Sequence, residues 1–520
     1  MRNFIPLCLR DKTLWVVTLL SLIILAPVLI EPLSFDSAIY QTLAIDMVHR
    51  GFIPYIQSFD QNFPGIVYLH CFEILLLGPS DLSLRLFDIA LQLSFIIFLY
   101  RYLSKWMTSK TAALSSVLYA LYYVSAGSGV YGQRDVYIFM ATVVGFSLIF
   151  TTRTPWRIIF AGVVIGFTIL IRPTSLLFLA LASVFLMFDD DLKVRYLGEA
   201  VLIGIIGLLP MSLFLLYITQ FPDGLKEFYD FAIRFNLDVY GRIADPSHRL
   251  WEILRSSFII IFALVGALSS QSIPKERMLT RNQKLVYIIS VVSFLLIVAV
   301  QGKFFRYHLA PFFMLLIPVA GMGIKSVTDM IRTPVKRHYA ILACLALCSL
   351  VRFNPTSSLA FGLAILEHEP PFQRTYDAVY TDSLFGPREE SAIKDYFRQQ
   401  RNSEGIVEIC SLDPTLRLHL NRKYASGFPT LHTLSTAARF NRIGLPVYTN
   451  YQLLWQRRYI DTLRTVKPRF IIIADGMNFW TVRNFNAFLH GLNGFYGLIN
   501  ESYFLDTTIG GYKIYQKNDH

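Results

Sequence analysis

Residues 12–36 read KTLWVVTLLSLIILAPVLIEPLSFD. Leu14 to Ile30 carry no charge, and the run stops at Glu31-Pro32 with Asp36 close behind. A helix needs ~20 mainly apolar residues to cross ~30 Å of hydrocarbon, so residues 14–30 are predicted to enter a membrane. Arg2, Arg10 and Lys12 give the run a basic start, as in a signal peptide. No small-residue cleavage site follows, so the segment is expected to remain as an uncleaved anchor.

Ten further runs of this kind follow, at 84–103, 111–127, 135–151, 156–171, 174–188, 197–219, 252–270, 285–300, 308–325 and 338–352. About eleven transmembrane helices are therefore expected. The composition agrees: 54% of the 520 residues are hydrophobic and 16% charged, against roughly 25% charged in ordinary soluble domains. The mean hydropathy is +0.46. A net charge of +12 would suggest nucleic acid in a soluble protein. Here Lys and Arg sit mainly in the short links, where they act as orientation signals, and no nucleic-acid partner is expected. Five cysteines without a CxxC or a His/Cys cluster argue against a disulfide framework and a zinc site. Whether Cys71 and Cys410 pair is left open by the sequence.

With the N-terminus in the cytoplasm, alternate links hold Arg101, Lys105 and Lys110, then Arg153 and Arg157, then Lys193 and Arg195. Lys275, Arg277, Arg281 and Lys284 follow, and then Lys325, Arg332, Lys336 and Arg337. The opposite links are poorer in basic residues, which places the C-terminal end outside. Residues 1–352 thus read as a transmembrane domain with long external loops at 31–83 and 220–250. In 37–50, Ile39, Leu43 and Met47 share a helical face and Gly51 is a C-terminal cap, which suits a helix lying along the interface. From 353 to 520 the composition turns globular. GIVEIC (405–410), RFIIIA (469–474) and GYKIYQ (511–516) read as strands, with helices at 391–400 and 451–466. The expected architecture is a polytopic α-helical membrane protein with a small C-terminal, non-cytoplasmic α/β domain.

The first external loop has a distinctive order. Glu31 follows the span, then come Asp36, Tyr40, the interfacial helix, Gly51-Phe52-Ile53-Pro54-Tyr55 and Asp60-Gln61-Asn62-Phe63-Pro64-Gly65. Further along lie Gly132-Gln133-Arg134-Asp135, Arg172-Pro173-Thr174, and Arg306-Tyr307 with Pro311. The tail adds Leu412-Asp413-Pro414, Gly427-Phe428-Pro429 and Lys467-Pro468-Arg469-Phe470. Taken together this order resembles the membrane glycosyltransferases of the GT-C superfamily. It is most similar to the bacterial branch (glycosyltransferase family 39-like) that includes the lipid A aminoarabinose transferase and protein O-mannosyltransferases. Two departures stand out. Gln61-Asn62-Phe63-Pro64 replaces the Lys-Pro-Pro that many relatives carry after the second acid, and the first loop lacks the paired acids of some members.

The resemblance implies transfer of a sugar from a polyprenyl-phosphate donor to a lipid, glycan or protein acceptor on the non-cytoplasmic face. It implies a multi-pass protein of the bacterial inner membrane, with a periplasmic C-terminal domain and no cofactor beyond the lipid-linked donor. A leaving phosphate departs without a proton donor, unlike the alkoxide that makes glycosidases use a second carboxyl. One base is enough to deprotonate the acceptor, and cations stabilise the charge developing on the phosphate. Asp36 and Asp60 are the candidate catalytic acids. Arg134, Arg172, Lys303, Arg306 and His308 are the candidate phosphate ligands, with Tyr40, Tyr55, Asp135 and Tyr307 as substrate contacts. Without paired acids, no essential metal ion is expected.

Each residue also has a plainer reading. Asp36 can be a helix N-cap, Asp60 part of a solvated turn, Arg134-Asp135 an exposed pair, Arg172 a snorkelling side chain, and Tyr40 packing. Lys303 and Arg306 are harder to dismiss, because they break the positive-inside trend. A transporter or flippase of lipid-linked sugars is the competing function. It would more often show mid-span charges and two similar halves, and no such repeat is seen. An inactive scaffold would need neither the acidic loop nor the basic links.

Overall fold

The structure is a computed structural model that describes residues 11–31, 33–151, 153–188, 193–242, 253–269, 279–350, 387–399, 405–441, 444–477, 482 and 484–518. The chain forms two compact units.

The first unit takes Met1–Ile30, Ser80–Phe214 and Ala244–Pro355. The segment Lys12–Leu25 (α1) starts at Asp11, whose carboxylate accepts from the backbone of Thr13 and Leu14. It precedes the second unit's helices Phe35–Arg50 (α2) and Gly65–Leu77 (α3). The remaining helices of the bundle are Asp81–Leu103 (α4), Ser109–Ala126 (α5), Arg134–Thr151 (α6), Pro155–Ile171 (α7), Leu176–Met187 (α8) and Leu197–Ile218 (α9). Ser257–Ser269 (α10), Arg281–Gln301 (α11), Arg306–Asp329 (α12) and Pro334–Leu350 (α13) complete it.

Their ends follow local chemistry. Ser80, Thr108 and Thr280 cap α4, α5 and α11 through their hydroxyls, and Gly302 closes α11 in the left-handed conformation at φ 64°. Arg172 is extended because Pro173 follows it, which separates α7 from α8. Gly266 of α10 and Gly323 of α12 lie against the partner helix's backbone, Val319 and Phe262 respectively, so that a Cβ on either would collide. Small residues at such crossings let membrane helices pack closely.

All eleven apolar segments of the sequence are helical where they are described. Among the described residues, six helices are long and apolar enough to cross a bilayer. Leu19, Ile205, Leu264 and Leu268 are each more than half exposed, which suits a hydrocarbon solvent and not water. The chain is an integral, multi-pass membrane protein.

The second unit takes Glu31–Pro79, Leu215–Ile243 and Thr356–His520. Its sheet has Val407–Cys410 (β1), Phe470–Ala474 (β2), Tyr503–Ile509 (β3) and Tyr512–Lys517 (β4) in the order β1-β2-β4-β3. β1 runs parallel to β2 (Val407 opposite Phe470), and the other pairs are antiparallel. Helices Pro387–Gln399 (α14) and Asn450–Val466 (α15) belong to the same unit, and Thr449 and Gln452 form a capping box on α15.

An aromatic core ties the three chain segments together. Phe231 stacks on Trp455 with centroids 3.8 Å apart, and Phe59 contacts Phe231 at 5.2 Å and Phe428 at 4.6 Å. The strand β3 and the apolar helix α3 are additions to the sequence reading. At 13 residues, with His70 and Glu73 inside it, α3 fails any length test for a span. Cys71 and Cys410 are both free thiols.

Candidate active site

In the second unit, Ser34 caps α2 by accepting from Ser37 N at 3.2 Å, so the capping role falls to Ser34 and not to Asp36. Asp36 lies in the helix's first turn, half-buried. A carboxylate there is favoured by the helix dipole. Tyr40, on the next turn, is fully buried and stacks on His70 at 5.9 Å. His70 in turn meets Glu73 at 3.2 Å.

Downstream, Tyr55 adopts φ 64° and is buried, with its hydroxyl donating to Asn62 O at 2.5 Å. That bond folds the 55–62 turn over Asp60. Asp60 is 8% exposed, and it accepts from Gln61 N at 2.7 Å and Asn62 Nδ2 at 2.9 Å. Burial pushes its carboxyl from the ordinary 3.8 up to about 6, opposed by those hydrogen bonds and assisted by the neighbouring charge of Asp36. The two acids, 24 positions apart in sequence, therefore share one electrostatic environment. Asn236 holds the turn from the second long segment, donating to Gln61 O at 2.7 Å.

The turn is also seated on the C-terminal part of this unit. Phe59 N donates to Gly427 O at 2.9 Å, and a Cβ on Gly427 would strike the backbone of Gln57. Buried Arg417 donates to Ser426 O and Phe428 O, and buried Glu408 accepts from the Ser426 amide and hydroxyl. These bonds fix the 426–428 turn.

In the first unit Arg134, Arg172 and His308 gather around Asp135. Asp135, in the first turn of α6, pairs with Arg172, which also donates to Gln301 at the end of α11. Arg134 approaches Asp135 at 3.7 Å. Lys303 is buried, and its carbonyl accepts from His308 Nδ1 at 2.8 Å. That assignment makes His308 Nε2 an acceptor. Tyr307 crosses the imidazole edge-on at 4.3 Å. His308 interacts electrostatically with Asp135, Arg172 and Arg134. Arg306 opens α12 and reaches to within 4.0 Å of where a Cβ of Gly127 would stand.

Arg85 and Asp88 of α4, also in the first unit, are buried polar residues that the sequence reading does not single out. Asp88 is fully buried and accepts from Tyr123 at 2.5 Å, Tyr137 at 3.1 Å and Gln92 at 3.2 Å. Arg85 lies over the Tyr131 ring at 5.7 Å. Two charges inside the apolar run 84–103 were the available signal, because ionisable residues within spans are rare and usually functional. Among the described residues, no group of three or more His, Cys, Asp or Glu converges as a metal site would.

The chain thus combines a many-helix membrane bundle with a small strand-containing domain. Residues 62–217 match the family model described as dolichyl-phosphate-mannose-protein mannosyltransferase. No curated protein sequence matches the chain. Among solved structures, it is similar to ArnT from Cupriavidus metallidurans bound to undecaprenyl phosphate (TM-score 0.59, 12% identity, 98% of this chain and 97% of that one). It is also similar to the archaeal oligosaccharyltransferase AglB from Archaeoglobus fulgidus in complex with an inhibitory peptide and a dolichol-phosphate (TM-score 0.52, 12% identity, 98% and 74%). The apo form of the Archaeoglobus fulgidus oligosaccharyltransferase gives a TM-score of 0.52 at 12% identity, covering 89% and 69%. The family match is thus confined to residues 62–217, and the solved structures show that the chain shares their fold.

Proposed function

We propose that this protein transfers a sugar from a polyprenyl-phosphate donor to a hydroxyl- or amine-bearing acceptor at the non-cytoplasmic face of a bacterial inner membrane, with its N-terminus in the cytoplasm. The acceptor heteroatom attacks the anomeric carbon and the bond to the phosphate oxygen breaks. The electron pair leaves with the polyprenyl phosphate, and the acceptor's proton goes to Asp36. Asp60, with its raised pKa, orients the acceptor or shares that proton. Arg172, Arg134, Lys303 and Arg306 neutralise the phosphate, with His308 and Tyr307 beside it. Tyr40 and Tyr55 shape the acidic loop, and Asp135 holds Arg172 in place.

The observation that supports this reading is the burial of Asp60 in a turn of neutral donors, where Asp36 acts as a neighbouring acid. A flippase has no need of a buried carboxyl with a raised pKa beside a second acid. The test is turnover in liposomes containing the purified full chain and a polyprenyl-phosphate-linked sugar. Time-dependent release of free polyprenyl phosphate with a glycosylated acceptor is expected. Movement of intact donor across the bilayer without release would support the transporter instead.

A further inference from the structure

The first unit contains an apolar cavity of about 380 Å³ between α4, α6, α11 and α12. That is within the size range of small-molecule sites. Its floor is Phe139, Phe294 and Met314, each at most 5% exposed. At its other end the lining includes half-buried Tyr102 and Trp106 and exposed Lys284. We propose that it holds one acyl chain of an anionic phospholipid, with the headgroup phosphate at Lys284.

Two arguments select this occupant. The first is direction. Along α11, Lys284 precedes Gln301, the partner of Arg172, by seventeen residues, or about 26 Å of helix. Phe139 follows Asp135 on α6, Phe294 precedes Gln301 on α11, and Met314 follows His308 on α12. All three floor residues thus stand between the cavity and the basic cluster, while Tyr102 and Lys284 lie at the bundle's other end. A donor lipid with its phosphate at Arg172 meets that floor and not the cavity, so the occupant comes from the opposite leaflet.

The second argument is chemistry. Apolar cavities exclude water, and within a bilayer hydrocarbon chains fill them. Tyr and Trp at that end are the residues of a membrane–water interface. Lys284, with Lys105 and Arg281 exposed at the same end, offers the positive charge that attracts an anionic headgroup.

The test uses the full chain in nanodiscs of neutral lipid, doped with phosphatidylglycerol that carries a photoactivatable group near the end of one acyl chain. Cross-links should fall on peptides 139–150 and 286–294. Lys284→Glu, at an exposed position, should lower labelling by at least about fivefold, since losing one basic residue at an anionic surface already has that effect. The matching phosphatidylcholine probe should label less and ignore the substitution, and unlabelled polyprenyl phosphate should not compete. Equal labelling by both probes, unaffected by Lys284→Glu, would reduce the cavity to a place for any boundary lipid. Competition by polyprenyl phosphate would make it part of the donor site. Either result overturns the proposal.

Discussion

Arg172 in the helical bundle and Asp60 in the loop-and-sheet unit are buried in opposite ways. In the helical bundle, Arg172 is hidden by pairing with Asp135 and with Gln301, so the charge is met by an opposite charge at close range. In the loop-and-sheet unit, Asp60 is hidden with neutral donors only, a backbone amide and an asparagine, and with a second acid nearby. The first arrangement fixes a cation in place. The second leaves a carboxyl close to neutral and able to exchange a proton. In the proposed reaction the phosphate would use the former and the acceptor the latter.

The comparison is broken most severely at the ion pair. Arg172→Ala leaves buried Asp135 with only the more distant Arg134 as a cationic partner, and a loss of about 3 kcal/mol, the lower end for breaking a buried pair, is expected. Asp60→Ala removes an acid that has no such partner and should cost much less. Thermal unfolding of both variants in detergent checks this. Equal losses would mean that the two buried acids are held in the same manner.

Gly427→Ala sharpens the picture of the second unit. Its Cβ meets the backbone of Gln57, which cannot move without lifting the Asp60 turn. Overpacking of this sort costs ~1–3 kcal/mol. The expected signature is faster protease cleavage near residue 57, with the bundle helices unaffected.

A smaller effect concerns pH. The folded chain keeps a proton on Asp60 between the ordinary 3.8 and about 6, where the unfolded chain has released it. Stability therefore falls as pH rises through that window. Asp60→Asn should remove this component from a plot of unfolding midpoint against pH. A plot unchanged by the substitution would show that Asp60 ionises normally.

How much of this was legible follows from what a side-chain pattern records. The helices of the bundle were, because an apolar run long enough for a bilayer is a property of consecutive residues. The helix Phe35–Arg50 was, because Ile39, Leu43 and Met47 repeat at helical spacing. Strands β1, β2 and β4 were visible as short runs of Val, Ile and aromatic residues. β3 was not, since YFLDTTI is largely exposed and alternates poorly. Nor was α3, where His70 and Glu73 divide a short apolar stretch. Arg172 and Asp135 were both singled out, yet their pairing needed the fold, being 37 positions apart. Asn236, Arg417 and Gly427 act through backbone contacts that no local pattern encodes.

The reading of the acidic loop rests on Asp36, and one measurement reaches it directly. Asp36→Asn keeps the side chain's size and leaves Ser34 to cap the helix, so only the basic oxygen is lost. Sugar transfer from the polyprenyl-phosphate donor should be compared with wild type at equal amounts of folded protein, with melting followed in parallel. The expected result is a drop of at least ~10²-fold in turnover, the lower range for a lost general base, with melting and donor affinity unchanged. Transfer at the wild-type rate would remove Asp36 from the chemistry and leave Asp60 as the acid to test next.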